Sequence, residues 1–367
     1  MTSPGEVAVL VADLHLACGP GDPFTADEEF ARTVGDLLAE AGGRQFRLVL
    51  LGDSVDFPAV PLPGRPVTPA TGPADAVAKL DRVLAAHPLV VGALRQVVAA
   101  GQRVDVVAGN HDMELLLPAV QDRLRAAVGG GPDTVTVHPW FLHVPGVLHA
   151  EHGQQHHDVN RFPELGCPEA PGGPLVVPAG SYLDALVHLR ARSPQATPPA
   201  LAAQGARMAA GLVGGLVRLS RAERRRPGRE RALAAAGDAG LPPAVLVDLD
   251  RAAAATPATI LRRAGAMAAR RLPAAPSGPA TPYMHRAAAA VDRVLAAHGW
   301  AVPFLVFGHT HVAEDVPVPG GAPARYLNPG TWSTMLRRVP GSDRRCGVVV
   351  IEWAPEAPPR ARLQLPA

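Results

Sequence analysis

Cysteine is nearly absent: Cys18, Cys167 and Cys346 stand far apart, with no C-x-x-C pair. That spacing excludes a disulfide framework and a thiolate zinc site, and it fits a reducing compartment. Aromatic residues make up only 4% of the chain, while alanine, glycine and proline are used heavily throughout. Net charge is scarce as well, +2 over 367 residues, which gives no global attraction to nucleic acid or to an anionic membrane. No apolar helical piece reaches the roughly 20 residues needed to span a bilayer; the most apolar one, Met208 to Leu219, is shorter. The opening "MTSPGEVAVLVADLH" lacks a basic segment ahead of a long apolar core. No secretory leader is therefore predicted, and a cytoplasmic location is expected.

What is present is an alternation of short β-branched runs with helical patterns, the pattern of an α/β fold with sheets covered by helices. "EVAVLVADLH", "FRLVLLGDS" and "RVDVVAGNHD" each read as a strand that hands its polar residues to the following loop. Between them, "DEEFARTVGDLLAEAG" and "AVAKLDRVLAAHPLVVGALRQVVAAG" carry helical spacing and stop at glycine. From about Arg161 to Pro282 the chain is rich in alanine and arginine, poor in strand signals, and broken by proline clusters. This predicts a helical insertion. Within it "RAERRRPGRER", residues 221–231, reads as a solvated helix end and loop, with an anionic-substrate or membrane-surface patch as the alternative. Strands then return in "PFLVFGHTH", "ARYLNPGTW" and "CGVVVIEWAP", which are expected to close a second sheet. Residues 354–367 are expected as a proline-rich, loosely held tail.

The chemistry collects in the loops. Asp13 and His15 lie in "ADLH", Asp53 and Asp56 in "GDSVD", Asn110, His111 and Asp112 in "GNHD", and His309 and His311 in "GHTH". With one histidine from "EHGQQHHD", residues 151–158, these supply enough ligands for two divalent ions. A carboxylate can bridge two cations, neutral imidazoles complete the shells, and the lack of thiolates points to Mn, Fe or Zn. In Asp13-x-His15 and His309-x-His311 the partners are two residues apart, so on extended backbone both would face one side. Gly52, Gly109 and Gly308 precede the key side chains, where a strand is expected to turn sharply.

Motifs of this kind, in this order, resemble those of the calcineurin-like metallophosphoesterases: D-x-H, G-D-x-x-D, G-N-H-D, a later H-G, and G-H-x-H. The resemblance covers residues 7–160 and roughly 300–353. It implies a four-layer αββα sandwich of two mixed sheets, built from one discontinuous domain (1–160 and 300–353). Residues 161–299 then form an insertion that could act as a lid. It further implies that Asp13, His15, Asp53 and His311 hold one metal, with Asp53 as a bridge to a second held by Asn110, His152 and His309. His152 is selected because it alone in "EHGQQHHD" precedes a glycine. His149 is read as a strand residue and Asp112 as a partner in a structural salt bridge. "YLNPGTW" is read as a turn packed under the site. His111 resembles the family's histidine that serves the leaving oxygen, oriented by Asp56. Gln154 stands where relatives carry another residue and is a substrate-facing candidate; His156 and His157 are left open between substrate-facing residues and loop residues that support the ligands from behind.

The function implied is metal-dependent hydrolysis of a phosphoester or pyrophosphate bond, by in-line attack of hydroxide held between two metals. The substrate is expected to be a phosphodiester or a nucleotide- or lipid-linked pyrophosphate, with peripheral membrane contact through the insertion. A nuclease is the alternative within this chemistry, though the charge balance does not favour nucleic acid as partner. A non-catalytic interaction module is the alternative outside it, and such a module would be expected to have lost ligands.

Overall fold

In the computed structural model the apolar runs form two mixed sheets. The structure describes residues 5–63, 72–157, 159–162, 175, 177–187, 197–222, 241–253, 282–320, 323–335 and 345–366. The first sheet has the order β11-β10-β1-β2-β3-β4. Its strands β1 (Glu6–Val11), β2 (Gln45–Leu51), β3 (Arg103–Val107) and β4 (Val135–His138) are parallel. Antiparallel to β1 lies β10 (Val348–Ala354), and antiparallel to β10 lies β11 (Ala357–Gln364). The second sheet has the order β5-β6-β7-β9-β8. Here β6 (Leu148–Glu151), β7 (Phe304–Phe307) and β9 (Arg325–Pro329) are parallel, with β5 (Phe141–Val144) and β8 (Ala313–Pro317) antiparallel at the edges.

The two-residue period of a strand sorts these side chains into layers. Ala8 and Leu10 of β1 belong to a core between the sheets, with Val49 and Leu51 of β2, Leu148 and Ala150 of β6, and Val306 of β7. Val7, Val9 and Val11 face the other way. They join Phe30 and Val34 of α1 (Asp27–Glu40), Leu80 of α2 (Pro73–Ala86), Leu94 of α3 (Pro88–Ala99) and Leu124 of α4 (Pro118–Val128). On the far face of the second sheet, Leu305, Phe307 and Tyr326 belong to a core with Met284, Val291 and Leu295 of the last helix (Pro282–Ala297). Helices thus cover both outer faces, as expected of the sandwich, and burying a side chain such as Leu10 contributes about 1.5–3 kcal/mol.

Three expectations change. The long helical pattern ending at Gly101 is two helices, because Pro88 cannot continue a hydrogen-bonded turn. His87 at the break bonds Asp22 and Asp27, both at 2.9 Å, and so ties the loop before α1 to α2 and α3. The strand β10 returns to the first sheet rather than closing the second; both of its faces are apolar, which suits a place inside a covered sheet. Residues 357–364 form the edge strand β11, not a loose tail. Prolines 358 and 359 are tolerated there because an edge strand leaves one row of backbone groups unpaired.

Between residues 161 and 299 the described elements after the β6 loop are all helices: α5 (Ala179–Val187), α6 (Pro198–Ala222), α7 (Pro243–Ala253) and α8 (Pro282–Ala297). The last of these is a layer of the sandwich itself, so the inserted part ends before it. Residues 223–231 of the arginine-rich run, and Cys167, lie outside the described residues. No described helix is long and apolar enough to cross a membrane.

On the outer face of β5 and β6, His143 and His149 pair across the ladder, both buried. Burial lowers the His149 pKa to about 3, against the opposing pull of Glu151. A depressed imidazole stays neutral in the fold while the unfolded chain takes up a proton below about pH 6.5. Stability therefore falls as pH drops from 6.5 towards 3. Replacing His149 with Phe should shrink the stability difference between pH 7 and pH 5 by about 2 kcal/mol, from about 1.4 kcal/mol per pH unit below 6.5. Urea unfolding at the two pH values measures it, and an unchanged difference would refute a neutral buried His149.

Candidate metal centre

The loops that follow β1, β2, β3, β6 and β7 meet at the carboxyl ends of their strands, the usual crevice of such sheets. Their approach is set by backbone bonds. The Asp13 amide donates to the Gly52 carbonyl (3.2 Å) and the His15 amide to the Asp53 carbonyl (2.8 Å), which aligns the first two loops. The Gly308 amide donates to the His152 carbonyl (3.0 Å), which aligns the last two. The His309 amide reaches from one sheet to the other, donating to Asp13 Oδ2 at 3.0 Å.

Among the described residues, three groups of side chains have ligand atoms within 4.8 Å of one another: Asp13, His15 and His311; His15, Asp53 and His111; Asp53, His152 and His309. In the first, His311 Nε2 lies 3.2 Å from both His15 Nε2 and Asp13 Oδ1. In the last, His152 Nε2 lies 3.1 Å from Asp53 Oδ2 and 3.3 Å from His309 Nδ1. Asp53 belongs to two of the groups, and its Oδ2 also lies 3.8 Å from His15 Nε2. Asn110 is buried with its Oδ1 unbonded. Each residue expected to be a ligand is therefore in or beside the crevice.

The local backbone differs from the extended form that the two-residue spacing suggested. Asp13, His15, Asp53, His309 and His311 all have positive φ, between 48° and 69°. Non-glycine residues in this region cost roughly 1–3 kcal/mol each and persist only where surrounding contacts impose them. Here the bracing comes from "YLNPGTW": Thr331 Oγ1 donates to the Asp13 carbonyl (2.8 Å), and the Asn328 amide donates to the Gly308 carbonyl and to Thr310 Oγ1 (both 3.0 Å). Gly52 does adopt a positive φ, of 78°. Gly109 does not; a Cβ there would sit 2.2 Å from Asp53 Oδ1, so glycine is required for close approach rather than for a turn.

Electrostatics shows what the crevice is built to hold. Burial works against ionising Asp53 and Asp56, yet the surrounding histidines, His152 for the one and His111 for the other, keep both carboxyls well below the usual range. Burial likewise opposes charge on His152 and His111, but Asp53 and its neighbours raise them to about 9 and about 10. His309, buried beside His152 and His157, is pushed well below the ordinary imidazole value. Cationic histidines thus balance the carboxylates, a task a divalent ion performs better while displacing their protons. Asp13 Oδ1, His15 Nδ1, Asp56 Oδ2, Asn110 Oδ1 and His311 Nδ1 are buried without hydrogen-bond partners. An all oxygen and nitrogen donor set of this kind suits Mn, Fe or Zn. The residues present fit metal ions.

Around these ligands the supporting roles are definite. His152 Nδ1 is 3.0 Å from the Leu51 carbonyl, which fixes Nε2 as the nitrogen facing Asp53. Asp56 Oδ1 lies 3.2 Å from His111 Nδ1, and its Oδ2 lies 3.7 Å from His15 Nδ1. Asp112 is no salt-bridge residue: its carboxylate accepts from the Gly109 and Ser54 amides, each at 2.6 Å. Gln154 does not face substrate either. It is fully buried, with its amide donating to the Ala108 carbonyl at 3.0 Å. His156 is bonded to Glu151 (2.7 Å) and stacked on Phe307, which turns it towards the fold and not towards a ligand. His157 is placed differently, 3.0 Å from His309 Nε2. Sequence reading left its role open, and it missed Asp184 of α5, whose charge reaches His111 from the insertion; neither residue sits in a recognisable motif.

Neither a protein-family model nor a curated protein matches the sequence. Among solved structures the chain is similar to the crystal structure of phosphopantetheinyl hydrolase (PptH) from Mycobacterium tuberculosis, at 13% identity, covering 93% of this chain and 95% of that one, with a TM-score of 0.28. A likeness of that strength assigns no substrate and no mechanism.

Substituting Gly109 by Ala should leave far-UV circular dichroism unchanged while lowering bound metal to half the wild-type content or less. Elemental analysis of the purified variant checks this, and full occupancy would show that the Asp53 position tolerates the displacement.

Proposed function

We propose that this protein is a metal-dependent phosphohydrolase that cleaves a phosphoester or pyrophosphate bond at a centre for two divalent ions. The observation that carries the reading is Asp53, a buried carboxylate that falls in two of the groups, one with His15 and His111 and the other with His152 and His309. Seven donors arrive from five separate loops, in the motif order that resembles the calcineurin-like metallophosphoesterases. Ions bound there would lower the pKa of a water between them and offset negative charge that develops on a phosphoryl group.

The chain's own residues supply the rest. Asp13, His15 and His311 would hold one ion and Asn110, His152 and His309 the other, with Asp53 between. His111 stands half-buried beside them, its Nδ1 engaged by Asp56. That leaves Nε2 to donate a proton to the departing oxygen, and the raised pKa keeps the proton available near neutral pH. The substrate class we favour is a phosphodiester or a nucleotide- or lipid-linked pyrophosphate, since helices of the insertion approach the site near His111 through Asp184. Peripheral membrane contact through these helices belongs to the same proposal. A non-catalytic module is disfavoured by the retention of every donor.

Elemental analysis followed by a screen of phosphomonoesters, phosphodiesters and nucleotide pyrophosphates tests the reading directly. Asp53→Asn should reduce turnover to background with the fold retained; wild-type turnover in that variant would end the dinuclear mechanism. His111→Ala should keep its metals while kcat drops by roughly 10² or more, the ordinary contribution of a general acid. Loss of metal from the His111 variant would make this residue a ligand instead.

A further inference from the structure

Both ring nitrogens of His309 are engaged, and they face different partners. Nδ1 points at the cluster, 3.3 Å from His152 Nε2, while Nε2 lies 3.0 Å from His157 Nδ1. Since His152 has its Nδ1 on the Leu51 carbonyl, Nε2 is the nitrogen that faces Asp53, and it would present its lone pair to an ion that displaces its proton. For His309 to share an ion with His152 Nε2 and Asp53 Oδ2, Nδ1 must be its ligand atom, and its ring proton must then sit on Nε2. The atom that meets that proton is His157 Nδ1.

We propose that His157 is a positioning residue, which accepts the Nε2 proton of His309 and so fixes the tautomer and ring orientation that present Nδ1 to the second metal. The inference rests on the dinuclear reading above. His157 is itself held from three directions. Its carbonyl accepts the amides of Asn160 (3.0 Å) and Arg161 (2.9 Å). The Asn160 side-chain amide lies beside the same contact, 3.0 Å from its Nδ1 and 3.4 Å from His309 Nε2, and the Tyr283 ring of α8 packs on it at 5.6 Å between centroids. The acceptor is thereby carried by the β6 loop and buttressed by α8. Metal-bound histidines commonly depend on such an acceptor, whose removal typically costs 10–100-fold in affinity.

The test is calorimetric titration of Mn2+ into chelator-stripped wild type, His157→Ala and His157→Gln, with Tm recorded for each. His157→Ala should weaken one of two Mn2+ sites by about 10–100-fold and leave the other unchanged. His157→Gln, which restores a carbonyl acceptor, should recover that site to within a few-fold of wild type. Wild-type affinity at both sites in His157→Ala overturns the proposal, and so does equal weakening in the Ala and Gln variants. Wild-type protein that binds no Mn2+ overturns both this proposal and the dinuclear reading; two sites in wild type with His157→Ala unaffected overturns this one alone.

Discussion

A carboxylate buried where strand ends from both sheets meet is the constraint around which the rest of this structure is arranged. Asp53 is almost without solvent contact, yet it stays ionised because His152, His111 and His15 surround it. An isolated charge in such a place would be protonated or expelled. Its Oδ1 accepts the His111 amide at 2.7 Å, and its Oδ2 faces two imidazoles. Keeping that charge in place dictates glycine at 109, where any larger residue would strike it. Left-handed backbone recurs around it, at Asp53 itself and at Asp13, His15, His309 and His311.

The sandwich supplies the stiffness that this arrangement needs. Parallel strands end together, so loops from residues about 300 positions apart in sequence lie within hydrogen-bond range. The two cores on either side of the first sheet hold those ends still, and the backbone strain is borne by bonds from Thr331 and Asn328 rather than by the ligands. Two residues from outside the loop motifs approach the rim: Asp184 of α5 bears on His111 and Tyr283 of α8 packs on His157.

Much of this was legible before any coordinates. Strands β1, β2, β3, β7 and β9 follow their β-branched runs, and the polar loops after the first four hold most of the clustered side chains. His152 was separable from its neighbours by the glycine that follows it, and it is the histidine that reaches Asp53. Other features had no local signal. Strand β10 reads the same whichever sheet it joins, since both offer apolar faces. Gln154 looks like an exposed loop residue until the strand end at Ala108 is seen to need a donor. His157 looks like its neighbour His156, yet a one-residue step along the short helical turn separates a bond to Glu151 from a bond to His309.

By itself the sequence indicated most of the strands and helices, and the side chains that meet in the crevice. These depend on side-chain type and on patterns a few residues long, which survive without a partner. Only the tertiary structure decided how the donors divide into groups, which nitrogen of each imidazole faces inward, and that close approach rather than turning requires Gly109. Those depend on distances between loops remote in sequence, and such distances are set by how two sheets pack, a property of no segment taken alone.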